Sequence, residues 1–351
     1  MIMPVPDSTR IVSTLLTPNG AAHIRQQAIN KLSDAAVREL AKRARITVAS
    51  SSDGTLLPDA RERLHQGLQE VTYLFLPISL IQASDLAFLS GLPRLQKLYV
   101  HYTSSDEMLP IAGLKQLHLL NLSHTGIKNL DPIAGLPHLQ ALNVTDSRIV
   151  DLSPLAGLRQ LQILELVWTG ISDLRPIQHL TNLHSLELSS TQVHDITPLS
   201  GLRGLHNLFL HFTPISDLRP LANLAQLQLL GLSHTRVRDI SPLAGLRTLC
   251  SLDISLNAIT DLSPLQGLTR LKQLDATGTF INDLTPLTAL KALRELYIAD
   301  TPIRNIDVLT REHFPQLKLL LIGTSFSQEH IAQLHAQLPD CQISMEETRL
   351  T

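Results

Sequence analysis

This chain of 351 residues contains few aromatic residues and few cysteines, and neither sign of charge is in clear excess. Its 29 basic and 31 acidic side chains leave a net charge of −2, which argues against the positive field that nucleic-acid-binding proteins present to phosphate. The two cysteines, Cys250 and Cys341, are too few for a disulfide scaffold and do not form a C-x-x-C metal pair. Aromatic residues make up only 3% of the chain, so leucine has to fill the core.

The N-terminal segment also lacks the features of a secretory signal. No basic residue precedes the apolar part of MIMPVPDSTRIVSTLL, and Pro4 and Pro6 interrupt it. Apolar runs elsewhere are shorter than the roughly 20 residues that a membrane helix needs. We therefore expect a soluble protein with no membrane partner, located in the cytoplasm or exported by a specialised system that needs no signal peptide.

What the chain does contain is a repeat of 22 residues. Residues 117–138, 161–182 and 249–270 match at every apolar position of the unit L-x-x-L-x-L-x-x-T-x-I-x-D-L-x-P-L-x-G-L. Its ninth position recurs at a constant spacing of 22, at Thr103, Thr125, Ser147, Thr169, Thr191, Thr213, Thr235, Asn257, Thr279 and Thr301. Self-similarity of this kind predicts a solenoid, which grows by stacking units instead of enlarging one core.

Each part of the unit predicts a local structure. The L-x-L segment alternates with a period of two, which predicts a short strand with its leucines pointing inward, and strands of successive units should stack in parallel. A short 3₁₀ turn is expected around the repeated proline, because only five or six residues separate it from the next strand. The predicted caps of these turns are the residues directly before the prolines: Asp131, Ser153, Thr197, Ser241, Ser263 and Thr285.

The signature D-[IL]-[ST]-P-L-x-x-L, present at 151–158 and 261–268, resembles that of bacterial leucine-rich-repeat proteins of the internalin-like, 22-residue class. Eukaryotic phosphatase-regulatory subunits have repeats of similar length but carry the proline less often. The resemblance covers about residues 73–309 and implies a scaffold that binds other proteins. In this family the ninth position usually holds an inward asparagine that bonds to neighbouring backbone, a role that the threonines here are expected to fill in part.

The predicted fold is a single-domain α/β leucine-rich-repeat solenoid. It is expected to be a horseshoe with a parallel β-sheet on the concave face, short 3₁₀ turns on the convex face and α/β caps at both ends. The predicted segments are a flexible N-terminus over 1–18, a helical α/β cap over 19–72, the repeat array over 73–326 and a C-terminal cap over 327–351. Within the caps we expect helices in 20–44, 58–69 and 329–338, and strands at 45–50 and 341–345.

The candidate binding site is the concave face, where positions 3, 5, 7 and 8 of each unit should point outward. Half of the twelve aromatic residues fall on these positions: Tyr99, Tyr102, Trp168, Phe209, Phe212 and Tyr297. Large rings on a rigid sheet act as anchors in protein interfaces, because they bury much area at a small cost in entropy. The alternative is that individual rings fill gaps against neighbouring strands.

Charge on the same positions is predominantly acidic. Lys97 is opposed by Asp146, Glu165, Glu187, Asp253, Asp275, Glu295 and Asp300, whereas several arginines fall in the convex turns. An acidic face would steer a basic partner and repel nucleic acid. The predicted partner is therefore a protein with a basic patch, unless these charges are merely solvated.

Histidines recur beside the rings, as His101, His124, His211 and His234. Pairs on adjacent strands could bind a metal, but no third ligand follows from the spacing, so they are interpreted as contact residues that could respond to pH. Gly231 follows Phe209 in the same column, which predicts a shallow hollow suited to a side chain of the partner.

The sequence favours a non-catalytic, monomeric binding protein that needs no cofactor and no metal. Phosphate loops, nucleophile elbows and zinc-protease motifs are missing, and both cysteines lie where a small apolar side chain packs. One alternative is an effector that is delivered into host cells and binds a host protein through the same face. Another is a ubiquitin-ligase-type effector enzyme with a catalytic cysteine.

Overall fold

The computed structural model describes residues 26, 28–30, 32–46, 56–77, 87–89, 92–101, 111–324 and 326–345. The chain forms two compact units, Met1–Ile163 and Leu164–Thr351. Both are built from short parallel strands, one per repeat, in the order in which they occur along the chain. The predicted leucine-rich-repeat architecture is therefore confirmed.

The first unit begins with helices and continues into repeats. Its described elements are α1 (Asp34–Arg43), α2 (Ala60–Leu68), β1 (Tyr73–Pro77), β2 (Lys97–His101), β3 (Leu119–Asn121) and β4 (Ala141–Asn143). Ser33 caps α1 by accepting a hydrogen bond from Ala36 N at 3.2 Å. The α2 helix confirms the prediction for 58–69, whereas most of the strand predicted at 45–50 lies outside the described residues.

The second unit carries the remaining strands. These are β5 (Ile163–Glu165), which starts at the unit boundary, β6 (Ser185–Glu187), β7 (Asn207–Phe209), β8 (Leu229–Gly231), β9 (Ser251–Asp253), β10 (Gln273–Asp275), β11 (Glu295–Tyr297), β12 (Leu319–Ile322) and β13 (Gln342–Met345). The α3 helix (Gln328–Gln337) precedes β13 and is capped by Ser327. Both elements confirm the predicted C-terminal helix and strand.

Register along the strands follows the repeat length. Leu186 pairs with Leu208 and Leu208 with Leu230, each 22 residues apart. Leu296 pairs with Leu320, so the extra two residues around 311–315 are absorbed outside the strands. Side chains at both apolar positions of L-x-L are buried in every repeat from 164 to 298. Ile254, Ala276 and Ile298 replace leucine at the second position and are buried as well.

The threonines of the ninth-position column bond to the backbone as expected, whereas the buried hydroxyl of Ser147 has no hydrogen-bond partner among the described residues. Thr169 Oγ1 donates to the carbonyl of Leu166 at 2.7 Å, and Thr191, Thr213 and Thr279 repeat the contact in their own units. Asn257 does more, since its Nδ2 contacts three carbonyl oxygens and its Oδ1 accepts from Thr235. An amide thus ties two repeats together where a hydroxyl serves only one.

Short 3₁₀ turns follow most strands, at Asp131–Ile133, Ser153–Leu155, Arg175–Ile177, Thr197–Gly201, Arg219–Leu221, Ser241–Gly245, Ser263–Leu265 and Thr285–Ala289. The prediction that the residue before proline caps each turn is wrong. That residue is the first of the turn, and its N–H is accepted by the side chain two residues earlier. This side chain is Asn129 in the first turn and an aspartate in the others, as in Ser153 N to Asp151 Oδ1 at 2.8 Å. An aspartate side chain closes this local turn well because its carboxylate reaches the N–H two residues on.

The described part of the chain contains no helix that is both long and apolar enough to cross a membrane.

Candidate functional site

The solvent-facing residues of the strands and of the bend after each strand form what we call the strand face of each unit. In the second unit it carries Glu165, Trp168, Glu187, Phe209, His211, Phe212, His234, Asp253, Asp275 and Tyr297. In the first unit it carries Tyr73, Phe75, Tyr99 and His124. His101 contributes only its described backbone, at the end of β2, and Tyr102 lies outside the described residues.

The prediction that position 7 points outward is wrong for its serines. Ser123, Ser189, Ser233 and Ser255 are all buried. The backbone ladder continues past the strand here, as Trp168 N donates to Ser189 O at 3.2 Å and Phe212 N to Ser233 O at 2.9 Å. The next position, 8, is exposed at Asp146, Trp168, Phe212, His234 and Asp300.

Position 8 has a left-handed backbone in every repeat from 124 to 300. The φ angle is 54° at Trp168, 55° at Phe212 and 56° at His234, and glycine occupies the position once, as Gly278 with φ 66°. This conformation favours glycine, and a bulky side chain in it is uncommon. Aromatic residues at this bend therefore work against the local backbone preference.

These rings are also the most exposed on the face. Trp168 is 61% exposed and Phe212 is 55% exposed. Phe212 stacks on His234 with 4.9 Å between ring centroids. On the strand beside them, Phe209 is half-buried and lies 6.0 Å from the ring of His211. The second unit thus brings these rings together in two pairs, Phe209 with His211 and Phe212 with His234.

Position 5 has a structural duty that the sequence analysis missed. Its side-chain oxygen accepts the N–H of position 7, as in Glu187 Oε1 from Ser189 N at 3.0 Å, Asp253 Oδ1 from Ser255 N at 2.9 Å and Asp275 Oδ1 from Thr277 N at 2.9 Å. Asn121 and Asn143 do the same in the first unit with an amide. The hydrogen bond explains an acceptor at this position, but it does not require a negative charge.

The negative charges are brought together in pairs on neighbouring strands. Burial raises the pKa of the Glu165 carboxyl, and the adjacent Glu187 carboxylate raises it further. Burial likewise raises the pKa of Asp275, against the hydrogen bond from Thr277 N and with the help of Asp253. Both pairs would hold their charge more easily with a cation nearby, because an opposite charge favours the ionised form.

Tyr297 extends the acidic stretch at the far end of the face. Its hydroxyl donates to Glu295 Oε2 at 3.0 Å. Burial, followed by this hydrogen bond, raises the pKa of Tyr297. The phenol is therefore a neutral donor held against a carboxylate.

The hollow predicted at Gly231 is filled by a neighbouring side chain. A Cβ atom on Gly231 would lie 2.1 Å from His211 Nε2, so the imidazole occupies the space that a residue at 231 would need. His211 Nδ1 accepts from Ser233 N at 3.1 Å, which is the bond that a position-5 side chain makes elsewhere. The prediction of a pocket is wrong because His211 replaces the acceptor that glycine lacks.

The first unit carries a separate aromatic cluster. Tyr99 lies 5.5 Å from the ring of Tyr73 and 6.3 Å from that of Phe75, measured between centroids. The Arg43 guanidinium lies 5.3 Å above the Phe75 ring. The sequence analysis missed Tyr73 and Phe75, although their alignment with Lys97 and Tyr99 in the repeat could have placed them on the face.

His124, the other histidine predicted for the face of this unit, forms a polar contact. His124 Nδ1 lies 3.0 Å from Asp146 Oδ2. Within the described residues, no group of three histidine, cysteine, aspartate or glutamate side chains could hold a metal ion.

The buried cysteine of the C-terminal cap lacks the surroundings of a nucleophile. Cys341 is buried, and burial raises the pKa of its thiol to about 11. Cys250 is half-buried in a regular repeat, with its Sγ 3.4 Å from the carbonyl oxygen of Thr248. A thiol with a raised pKa stays protonated at neutral pH and reacts poorly.

Two of the arginines outside the strand face are paired locally. Arg175 binds Asp173 through two of its nitrogens, and Arg219 binds Asp217 in the same way. The bond to Arg175 lowers the pKa of Asp173 to about 2. The positive charges of these two guanidinium groups are thus neutralised by aspartates within their own turns.

Comparison with known proteins agrees with this architecture. Residues 115–157 match the family model described as leucine-rich repeats in two copies, and no curated protein sequence matches the chain. An internalin of Listeria monocytogenes is similar in structure, with 23% identity and a TM-score of 0.74 over 92% of this chain and 97% of that chain. The likeness shows the leucine-rich-repeat fold, and the expected resemblance to internalins is confirmed at that level.

Two further solved structures share the fold. One is a plant peptide hormone receptor, RGFR1, in complex with RGF2, with 18% identity and a TM-score of 0.57 over 69% of this chain and 41% of that chain. The other is the leucine-rich-repeat protein FLRT2 in an octameric complex with latrophilin 3 and Unc5D, with 20% identity and a TM-score of 0.58 over 72% of this chain and 83% of that chain.

Proposed function

We propose that this chain is a non-catalytic scaffold that binds a protein partner through the strand face of its second unit. The observation that carries the proposal is the placement of Trp168 and Phe212. Both rings are more than half exposed and both stand at a backbone position that favours glycine.

Stability of the fold does not account for these rings. Gly278 occupies the same bend three repeats after Phe212 with the same sign of φ, so the repeat closes without any side chain there. A non-glycine residue in the left-handed region costs about 1 kcal/mol or more. Every repeat from 124 to 300 has this bend, so what distinguishes Trp168 and Phe212 is that a large ring there is left exposed to solvent. We therefore attribute the exposed rings of Trp168 and Phe212 to the binding of a partner and not to folding.

Polypeptide partners suit such a face. Aromatic anchors are enriched at the centre of protein interfaces, where their truncation costs about 2 kcal/mol or more. The plant receptor with this fold was solved with a peptide hormone, and FLRT2 was solved with two other proteins. These assemblies support a protein as the class of partner for the present chain.

The charges on the face favour a basic partner. Glu165, Glu187, Asp253 and Asp275 lie on the same strands as the rings or next to them. Electrostatic complementarity of this kind mainly raises the rate of association and excludes wrong partners. Nucleic acid would be repelled by the same field.

Affinity capture with matched variants tests the proposal. The wild type, the double variant Trp168→Ala/Phe212→Ala and the control Phe280→Ala would be immobilised and exposed to the same cell extract. Phe280 is 62% exposed but does not lie on a strand. We expect a specific partner to be retained by wild type and Phe280→Ala and to be lost from the double variant.

The opposite pattern would refute the proposal. If every specific partner is retained equally by the double variant while all three proteins melt at similar temperatures, the strand face of the second unit is not the binding surface. The aromatic cluster of Tyr73, Phe75 and Tyr99 in the first unit would then be the next surface to test.

A further inference from the structure

We infer that the occupant of this face is an extended segment of the partner that crosses the strands and presents two cationic side chains about six residues apart, with apolar side chains between them. The inference rests on the proposed function and specifies the partner's chemistry. Its starting point is the solvent-facing surface around Phe209 and Phe212. Carboxylates lie on the strands to either side of these rings, and their charge is complementary to that of a cationic partner.

The columns of the face determine the direction of the segment. Positions 8 and 5 each recur once per strand, so the columns that they form run perpendicular to the strands. Trp168, Phe212 and His234 follow one column, and Glu187, Phe209 and Asp253 follow the other. A segment that contacts several members of either column must therefore lie across the strands.

The spacing between the charges follows from the strand order. One carboxylate pair, Glu165 and Glu187, lies on β5 and β6, and the other, Asp253 and Asp275, lies on β9 and β10. The midpoints of the pairs are four strand spacings apart, or about 19 Å at about 4.8 Å per spacing. An extended chain covers this distance in about six residues at about 3.3 Å each.

The middle of this span is apolar and already filled. Halfway between the two pairs lie Phe209 on β7 and Gly231 on β8, with the His211 imidazole packed over Gly231. In an extended chain, residues i, i+2, i+4 and i+6 face the same side. Cations at i and i+6 would then meet the carboxylates, while apolar side chains at i+2 and i+4 would meet Phe209, Phe212 and the imidazole.

Each pair is suited to share one cation. In the first pair Glu187 accepts the N–H of Ser189 at Oε1, and in the second pair Asp275 accepts the N–H of Thr277 at Oδ1. A guanidinium that approaches Glu187 Oε2 or Asp275 Oδ2 would not disturb these hydrogen bonds. Asp253 Oδ2 lies 3.7 Å from His211 Nδ1, at the edge of the second pair. Arginine is the better match, because its planar fork binds two carboxylate oxygens at once. Trp168 offers a ring face beside the first pair, on which a guanidinium can also stack.

Two synthetic peptides of identical composition and charge test the spacing. One carries arginines at the ends, Arg-Ser-Leu-Ser-Leu-Ser-Arg, and the other carries them in the middle, Leu-Ser-Arg-Ser-Arg-Ser-Leu, both with blocked termini. Isothermal titration calorimetry against the full chain would measure their affinities. We expect the first peptide to bind at least tenfold more tightly than the second.

Charge-neutral variants of the protein test the two contact points separately. Glu165→Gln/Glu187→Gln and Asp253→Asn/Asp275→Asn retain an acceptor for the N–H of position 7, as Asn121 and Asn143 do, and Glu312→Gln serves as an exposed control off the face. Each double variant should weaken the first peptide at least tenfold, whereas Glu312→Gln should leave its affinity unchanged.

Equal affinity of the two peptides, failure of both to bind, or sensitivity to only one carboxylate pair would overturn the inference. These outcomes leave the proposed function standing if a captured partner is still released by Trp168→Ala/Phe212→Ala. A partner that is indifferent to those two substitutions would instead refute the proposed function.

Discussion

The ring of Phe212 stacks on the imidazole of His234 from the next repeat, with 4.9 Å between centroids and 23° between planes. Both residues have a left-handed backbone, with φ angles of 55° and 56°. Stacking of this kind contributes about 1 kcal/mol beyond burial, which offsets part of the backbone cost. The pair is thereby held rigid while Phe212 remains exposed, as an anchor for a partner requires.

A glycine at the exposed bend should separate stability from binding. We expect Trp168→Gly to leave the free energy of unfolding unchanged or to raise it by up to about 1 kcal/mol, because glycine adopts positive φ without a steric cost. Urea denaturation measures this. A loss of more than about 2 kcal/mol would show instead that the tryptophan packs as part of the core.

The acceptor at position 5 should matter to folding more than its charge does. Asp253→Asn should melt close to wild type, since an amide oxygen can still accept from Ser255 N. Asp253→Ala removes the acceptor and should cost about 1 kcal/mol. If both variants melt at the same reduced temperature, the negative charge itself stabilises the face.

His211 and Gly231 should behave as a coupled pair. Gly231→Asp alone forces a side chain into the imidazole and should destabilise the chain, because Cβ would lie 2.1 Å from Nε2. Combined with His211→Ala, the same substitution should be tolerated, since an aspartate could then accept from Ser233 N. We expect a coupling of about 1 kcal/mol or more in a double-mutant cycle, with Gly157→Ala as a control because nothing lies within 4 Å of that position. Additive effects would contradict this account of the two residues.

Binding of a cationic partner should weaken in mild acid. The pKa of Glu165 is raised by burial and by Glu187, so the neutral carboxyl forms at a higher pH than in an ordinary glutamate, whose pKa is about 4.3. A cation favours the ionised form, so affinity should rise as pH rises through the raised pKa and protons should be released on binding. Glu187→Gln should move the midpoint of this transition to lower pH, and an unmoved midpoint would contradict the coupling.

The repeat positions that face the core were predictable, whereas the bend after each strand was not. Leu186 lies between Ser185 and Glu187, and this alternation places it inward, as the structure shows. Ser189 was misplaced because alternation was extended past the end of the strand, where the left-handed residue at position 8 changes the direction of the chain. Strand periodicity applies only while the backbone stays extended.

Contacts between repeats could not be predicted from the sequence of a single repeat either. The imidazole of His211 takes over a hydrogen bond that belongs to residue 231, one repeat later. Similarly, the cap of each 3₁₀ turn depends on which acceptor the backbone brings near. Asp151 accepts from both the N–H and the hydroxyl of Ser153, so the serine acts as a donor and does not cap the turn. Such choices depend on local geometry that residue preferences do not contain.

The most direct test of binding through the strand face is the fluorescence of Trp168, the only tryptophan of the chain. Its side chain is 61% exposed, so its emission and its quenching by acrylamide report on contact at this surface. With a captured partner at saturation, we predict emission at shorter wavelength and reduced quenching, and the same response in Phe280→Ala. Unchanged emission and unchanged quenching at saturation would contradict the account.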